Sequence, residues 1–381
     1  MLMRADGSLH LLEFDGGVEM SSAVHVGDGR VAVGAQAWRQ AATDPDGFVL
    51  SPLRAGTGQL TAGTITVDAA DLVAATLRQV ATEAARAAGE PVHDAQLLVP
   101  AGAGPRHRTW LRHAARNAGL HVTRLVDVPV TAANRLAPTA LLPTASDRMM
   151  LIIDVGAGCE VSVLRQSMQQ TDVLATLDDQ DAGGDRIDAL LTHALTGTAL
   201  DDLPAAQRWT TLAVLRAAQQ ALAQQATVTI PLPGAAGPLV VPVGHVTQVA
   251  QPVLERVGEL AAETVAAADL TLADIHGVHL IGGVAAVPGA AEMIGAKLGV
   301  VPQIAAQPSI AAVAGAAESD PARATPHTPG TGQPFRLPPL RRILLLGFPA
   351  LCRCCCTPTS SRAPTSSAPH RSAGTAAIST S

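Results

Sequence analysis

Asp154 closes an apolar run in Leu151–Leu164, LIIDVGAGCEVSVL, and Gly156 and Gly158 follow it at once. A carboxylate at a strand end can hold a hydrated cation, and glycines let backbone N–H groups come close to phosphate oxygens. The same residues also describe two strands joined by a tight turn. Taken alone, the stretch reads both ways. It is not a dinucleotide fingerprint, because Cys159-Glu160-Val161 follows and the chain continues as a strand where G-x-G-x-x-G requires a third glycine and a helix.

Two more glycine pairs could serve the same chemistry. Gly183-Gly184-Asp185 opens a helix, and helix N-termini are natural anion sites. Gly282-Gly283 lies between a buried strand, GVHLI, and a helix starting at Pro288, where backbone can lie against a flat ligand. The candidate nucleotide-binding residues are therefore Asp154, Gly156, Gly158, Gly183, Gly184, Asp185, Gly282 and Gly283, with Asp154 also the candidate metal residue. No catalytic residue is assigned.

These residues need elements to position them. Ser21–Gly34 predicts a hairpin turning at Asp28-Gly29. Asp68 and Gly89 bound a helix whose Leu72, Val73, Leu77, Val80 and Ala84 share one face. AQLLVP is a buried strand, Pro105–Ala118 a helix closed by Gly119, LHVTRLV a strand, and Pro129 opens a short helix. After the opening stretch come helices from Gly183 to Leu195 and from Ala205 to Gln225, strands at ATVTIPL and PLVVPV, and a long helix from Gly244. The strand GVHLIGG and helices over 288–298 and 308–317 complete the series. Alternation of this kind predicts α/β architecture.

Together, and in order, these stretches resemble the nucleotide-binding domain of the Hsp70 family, which has the two-lobed actin-like and sugar-kinase ATPase fold. VPAGAGPRHRTWLRHAARNAGLHVTRLVDVPVTAAN is similar to the family's V-P-A…A-G-L-x-V-x-R…E-P-T-A-A block. IIDVGAGCEVSVL resembles the second phosphate loop, D-L-G-G-G-T-x-D-V-S, and GGDRID resembles G-G-x-x-F-D. LIGGVAAVPGAAEMI resembles the adenosine loop and PSIAAVAGAA the closing helix. The resemblance implies ATP or ADP with Mg as cofactor. It also implies a first lobe over 1–147, a second lobe with the closing helix over 148–317, and a tail over 318–381.

Several positions depart from the family. Its first strand and phosphate loop have no counterpart, which implies a true start upstream and a central sheet with an open edge. The position of its catalytic lysine falls on Leu53, beside a retained Arg54, and its metal-shell glutamate falls on Val128. The loop threonine is replaced by Cys159 or deleted. The charged adenosine-side helix residues fall on Arg216, Gln219 and Gln220, and the adenine-stacking arginine on Ala286. Only 45 residues separate Arg54 from Val99 and 98 separate Gly184 from Gly282, so the outer subdomains read as trimmed. The backbone part of the site is kept while its side chains are largely gone. This implies a pseudo-ATPase or weak ATP binder that acts through an unknown protein partner. An active chaperone-type ATPase with its start restored upstream is an alternative.

Composition narrows the classes further. Lys297 is the single lysine among 26 Lys and Arg, which excludes mechanisms that need a lysine elsewhere. The P-loop pattern is absent, and a net charge of −6 gives no basis for nucleic-acid binding. Aromatic residues make up 2%, with no tyrosine, so the core must be aliphatic. One cysteine before Cys352 suits a reducing, cytoplasmic setting, and no leader is read at the start.

From Glu318 the chain is rich in Pro, Thr, Ser, Gly and Arg, which reads as linker or disorder, and nothing there resembles the family's β-rich peptide-binding domain. It includes LRRILLLGFPALCRCCC, whose apolar part, Ile343–Leu351, is far short of the roughly 20 residues of a membrane span, and Leu340–Leu351 is the stretch through which the chain could associate with a membrane. A remnant membrane segment would fit an accessory protein of type VII secretion, since the alanine-rich, lysine-poor composition resembles actinobacterial proteins. The basic face Arg106–Arg116 reads as solvated, His276 and His279 lack a third ligand, and Asp178, Asp179 and Asp181 read as a solvated turn.

Overall fold

The computed structural model describes residues 1–4, 6–54, 56–137, 147–319 and 342–345. A hairpin of β1 (Leu2–Met3) and β2 (Leu9–His10) comes first. A small sheet follows, made of β3 (Val24–Gly27), β4 (Arg30–Val33) and β5 (Phe48–Val49), with α1 (Ala35–Ala41) between its last two strands. The β3–β4 turn has positive φ at Asp28 and Gly29, as a two-residue hairpin turn requires. The hairpin β6 (Gln59–Ala62) and β7 (Ile65–Asp68), not foreseen from sequence, leads into α2 (Ala69–Ala88). Asp68 caps α2 by accepting from the Ala70 amide at 2.8 Å, and left-handed Gly89 ends it. Then come β8 (Asp94–Val99), α3 (Pro105–Asn117), β9 (His121–Asp127) and α4 (Val128–Leu136).

The second half opens with three antiparallel strands, β10 (Arg148–Val155), β11 (Cys159–Gln166) and β12 (Thr171–Asp179). Next are α5 (Gly184–Thr196), α6 (Ala205–Leu222), the hairpin β13 (Thr227–Ile230) and β14 (Leu239–Pro242), and α7 (Val243–Ala267). The chain continues through β15 (Gly277–Ile281), α8 (Ala290–Leu298), β16 (Gln303–Ile304), α9 (Ala311–Glu318) and β17 (Arg342–Leu345).

Two five-stranded sheets form the centre, ordered β2-β1-β17-β8-β9 and β12-β11-β10-β15-β16. Alternation along the strands fixes the layers. Leu151, Ile153 and Val155 of β10 pack against α7 and α8, while Met150 and Ile152 face the other way, towards α4 and α9. In the first sheet, Ala95, Leu97 and Val99 of β8 face α2 and α3, and Leu98 joins α4 and α9. Helices α4 and α9 are thus sandwiched between the two sheets. Asp154 continues the Met150–Ile152 series, which aims it at this inner space.

An aliphatic chain can pack its helices very closely. A Cβ on Gly315 of α9 would collide with the Thr131 carbonyl of α4, and one on Gly258 of α7 with the Ile294 carbonyl of α8. Only glycine permits these crossings.

Two expectations change. Asp178 and Asp179 are not in a turn: they close β12, opposite Glu160 and Cys159, and Asp179 accepts from Arg256 at 3.0 Å. The open position expected in the first sheet is filled by β17, which pairs with β1 on one side and β8 on the other. The rest of the expected tail, including most of Leu340–Leu351, lies outside the described residues. Among the described residues no helix is long and apolar enough to cross a membrane.

Candidate functional site

Asp154 sits at the inner end of β10, beside the turn Gly156–Gly158. The turn is closed by the Gly156 amide donating to the Gly158 carbonyl at 2.9 Å. Helix α5 is docked directly on it: the Gly184 amide donates to the Gly156 carbonyl at 2.8 Å and the Asp185 amide to the Ala157 carbonyl at 3.0 Å. A Cβ on Gly183 would run into the Ala157 carbonyl and the Gly158 Cα, so this junction needs glycine. The first amides of α5 are therefore used to hold the turn. Gly282, at positive φ of 91°, lies against the other side, where an added Cβ would be 2.7 Å from Asp154 Oδ1. Gly283 faces open space. All eight residues singled out in the sequence meet at this one place.

The electrostatics centre on three acids. Burial raises the Asp154 carboxyl to about 6, and no described group donates a hydrogen bond to it. Burial also lifts Glu160 to about 7, although the Ala101 and Gly102 amides each donate to its carboxylate at 3.1 Å and favour the charged form. Cys159 is fully buried, and burial first, then the surrounding carboxylates, pushes its thiol well above its ordinary range. That thiol is inert.

Sequence reasoning did not single out Glu160, Gln180 or Asp188. Glu160 ties the turn after β10 to the loop after β8. Arg54 crosses the same gap, pairing with Asp185 and reaching Gln180 Oε1 at 3.4 Å. Gln180 lines the turn within 3.1 Å of where a Gly158 Cβ would stand, and its buried Nε2 has no partner. Arg216 donates to Asp185 at 2.9 Å and to the buried Asp188 at 2.7 Å, and Gln219 donates to Asp188 at 2.7 Å. A cavity of about 460 Å³ opens beside these groups, lined by Asp185, Asp188, His193 and Arg216 among others. The signal for Asp188 was visible in GGDRID, where it stands one turn beyond Gly184.

Leu53 and Val128, at the positions where the resemblance puts a catalytic lysine and a metal-shell glutamate, are 2% and 3% exposed and belong to the aliphatic cores. The profile of the Hsp70 protein family matches residues 51–319. This chain belongs to the Hsp70 family. Its fold is accordingly the two-lobed, actin-like ATPase fold, and the Hsp70 nucleotide-binding domain in general takes ATP or ADP with Mg.

Among Hsp70 relatives, a chaperone protein HscA homolog of Bordetella pertussis is 31% identical over 256 residues, covering 66% of this chain and 40% of the relative. The homolog of Bordetella petrii is 29% identical over 342 residues, covering 81% of this chain and 53% of the relative. The chloroplastic heat shock 70 kDa protein 7 of Arabidopsis thaliana is 27% identical over 264 residues, covering 65% and 36%. The chain thus spans about half, or less, of the length of these Hsp70 relatives.

The residues present fit a metal–nucleotide pair in part. Gln180 Nε2 is a buried donor without an acceptor beside the glycine turn, and no described group donates to the partly buried Asp154 on its other side. Buried polar groups left unpaired mark places where a ligand or ion belongs. No group of three or more His, Cys, Asp or Glu able to hold a bare metal occurs among the described residues, so Asp154 would engage a cation through its waters.

Proposed function

We propose that this Hsp70-family domain binds ATP or ADP with Mg weakly, turns it over slowly or not at all, and acts through a protein partner. The observation that carries this reading is the contrast at one site. The glycine turn, its docked helix and Asp154 are kept, and Gln180 Nε2 beside the turn is left without an acceptor, while Leu53 and Val128 are sealed in the core. Phosphoryl transfer depends on positioning and charge stabilisation, and a buried leucine supplies neither.

Bound Mg would offset phosphate charge beside Asp154. The open surface of Gly283 would admit the nucleotide, and Gln180 Nε2 would donate to it. Glu160 and Arg54, which hold the lobes together, would give a bound nucleotide two arrangements to choose between, so binding alone could act as a switch.

Calorimetric titration of the full chain with Mg-ATP and Mg-ADP, followed by single-turnover product analysis, tests this. Measurable heat with bound ATP left intact over hours is the expected result. Rapid multiple turnover would instead establish a working ATPase. Absence of heat at millimolar nucleotide, from folded protein, would leave a scaffold without a ligand.

A further inference from the structure

The glycine turn does not account for the whole cleft. From Asp185 the cavity of about 460 Å³ runs outward along α5 as far as His193, about 12 Å of helix. Its second wall is made by α6 and by the short 3-10 turn Leu200–Asp202 that follows α5. Among the described lining residues only Leu50, just beyond β5, comes from the first lobe. Gly282 and Gly283, against the other side of the glycine turn, take no part in it. The volume lies within the roughly 300–1,000 Å³ of small-ligand sites.

What the cavity can hold depends on which of its charges are already used. Asp185 is taken by Arg54 and Arg216, and Asp188 by Arg216 and Gln219. The side chains of Arg186, His193 and Asp201 form no ion pair or hydrogen bond among the described residues. Arg186 lies in the first turn of α5, at the inner end. Asp201 lies in the turn that packs back on α5 after its last residue, Thr196, and so stands at the outer, His193 end. Arg208 of α6 pins that turn by donating to the Asp201 and Leu203 carbonyls, which leaves the Asp201 carboxylate uncommitted. Leu50, Leu200 and Leu212 supply an apolar wall.

We infer that this cavity is a second ligand site, for a short apolar peptide with free ends. A guanidinium pairs with a carboxylate through two parallel hydrogen bonds, and a carboxylate accepts from an ammonium. The ligand therefore carries both charges, its carboxylate toward Arg186 and its ammonium toward Asp201. Length narrows the class further. Arg186 and His193 are about 10 Å apart along the helix, the span of three extended residues. The two charges of a single amino acid are too close together to reach both ends. A phosphate compound brings no ammonium for Asp201, and a polyamine brings no carboxylate for Arg186. The occupant touches Leu50 on one lobe and α5 and α6 on the other, so it favours their closed arrangement.

Calorimetric titration of the full chain with the tripeptide Ala-Leu-Ala, without nucleotide, tests this. Binding at millimolar concentration is expected, weakened about fivefold by amidating the C-terminus or by acetylating the N-terminus, the scale of one half-exposed charged contact. Two variants assign the ends. Arg186→Gln should weaken the free tripeptide about fivefold and the C-terminal amide no further, and Asp201→Asn should do the same with the N-acetyl form. Both side chains are exposed, so both variants should fold as the parent does. Absence of heat at millimolar tripeptide, from folded protein, would overturn the inference. So would equal affinity for the free and the doubly capped peptide, or losses in the variants that ignore which end is capped. Nucleotide is absent throughout, so this inference fails or stands separately from the proposed function.

Discussion

Asp154 carries the charge on which nucleotide binding turns. In the free protein its carboxyl is raised from 3.8 to about 6, because burial disfavours the anion and no donor compensates. Glu160 is raised from 4.5 to about 7 by the same cause. The sign follows from proton counting. Between the unfolded and folded values the native state holds more protons than the unfolded chain, so stability is greatest at low pH and is lost as pH rises through about 6 and then 7. Denaturant melts of the free protein should show stability falling from pH 5 to pH 8. Asp154→Asn removes the Asp154 part and should add about 1–3 kcal/mol at pH 8, with the gain vanishing near pH 4. The same variant should weaken Mg-nucleotide binding at least about tenfold, the scale of losing one charged contact. A variant that is less stable at pH 8 would show that the carboxylate has a partner.

At the scale of elements, the glycines of the site do different work. Gly183 is needed for the docking of α5 on the turn after β10, and its obstacles are backbone atoms that cannot rotate away. Gly183→Ala should cost about 1–3 kcal/mol in unfolding free energy, as overpacking generally does. Gly283, in the short turn between β15 and α8, meets nothing. Gly283→Ala should leave stability within about 0.5 kcal/mol of the parent yet reduce nucleotide affinity, since the new methyl lies where a flat ligand would rest. Equal affinities for parent and Gly283→Ala would place the nucleotide elsewhere. The same helix docking explains why the GGD segment, readable as an anion site, gives its first amides to carbonyls of the turn.

Across the whole molecule, the lobes are joined at two levels. Near the glycine turn the links are Glu160 with the Ala101–Gly102 loop and Arg54 with Asp185. Farther out, Phe48 lies between Trp38 of α1 and Trp209 of α6, at ring distances of 4.9 and 4.8 Å, and Trp209 Nε1 donates to the Pro45 carbonyl at 3.2 Å. In a chain with so few aromatics, two of its three tryptophans are gathered at the outer join of the lobes. Such ring pairs contribute about 0.5–1.5 kcal/mol beyond burial. Trp209→Ala should loosen the outer contact and speed nucleotide association in stopped-flow mixing. Combining it with Arg54→Ala should speed association further. Rates unchanged in both variants would show that the lobes do not gate the site.

Legible along the chain are the periodic elements, the caps at Asp68 and Gly89, the hairpin at Asp28-Gly29, and the three glycine segments with Asp154 at a strand end. Each is written in neighbouring residues, because helix and strand periods and positive-φ turns are local properties of the chain. Tertiary structure alone decided that Leu53 turns inward while Arg54 crosses to Asp185, and that Glu160 receives amides from a loop some sixty residues away. It also decided where Arg342–Leu345 goes. Four residues fit many sheets, and their pairing with β1 and β8 is a tertiary contact that no local pattern names.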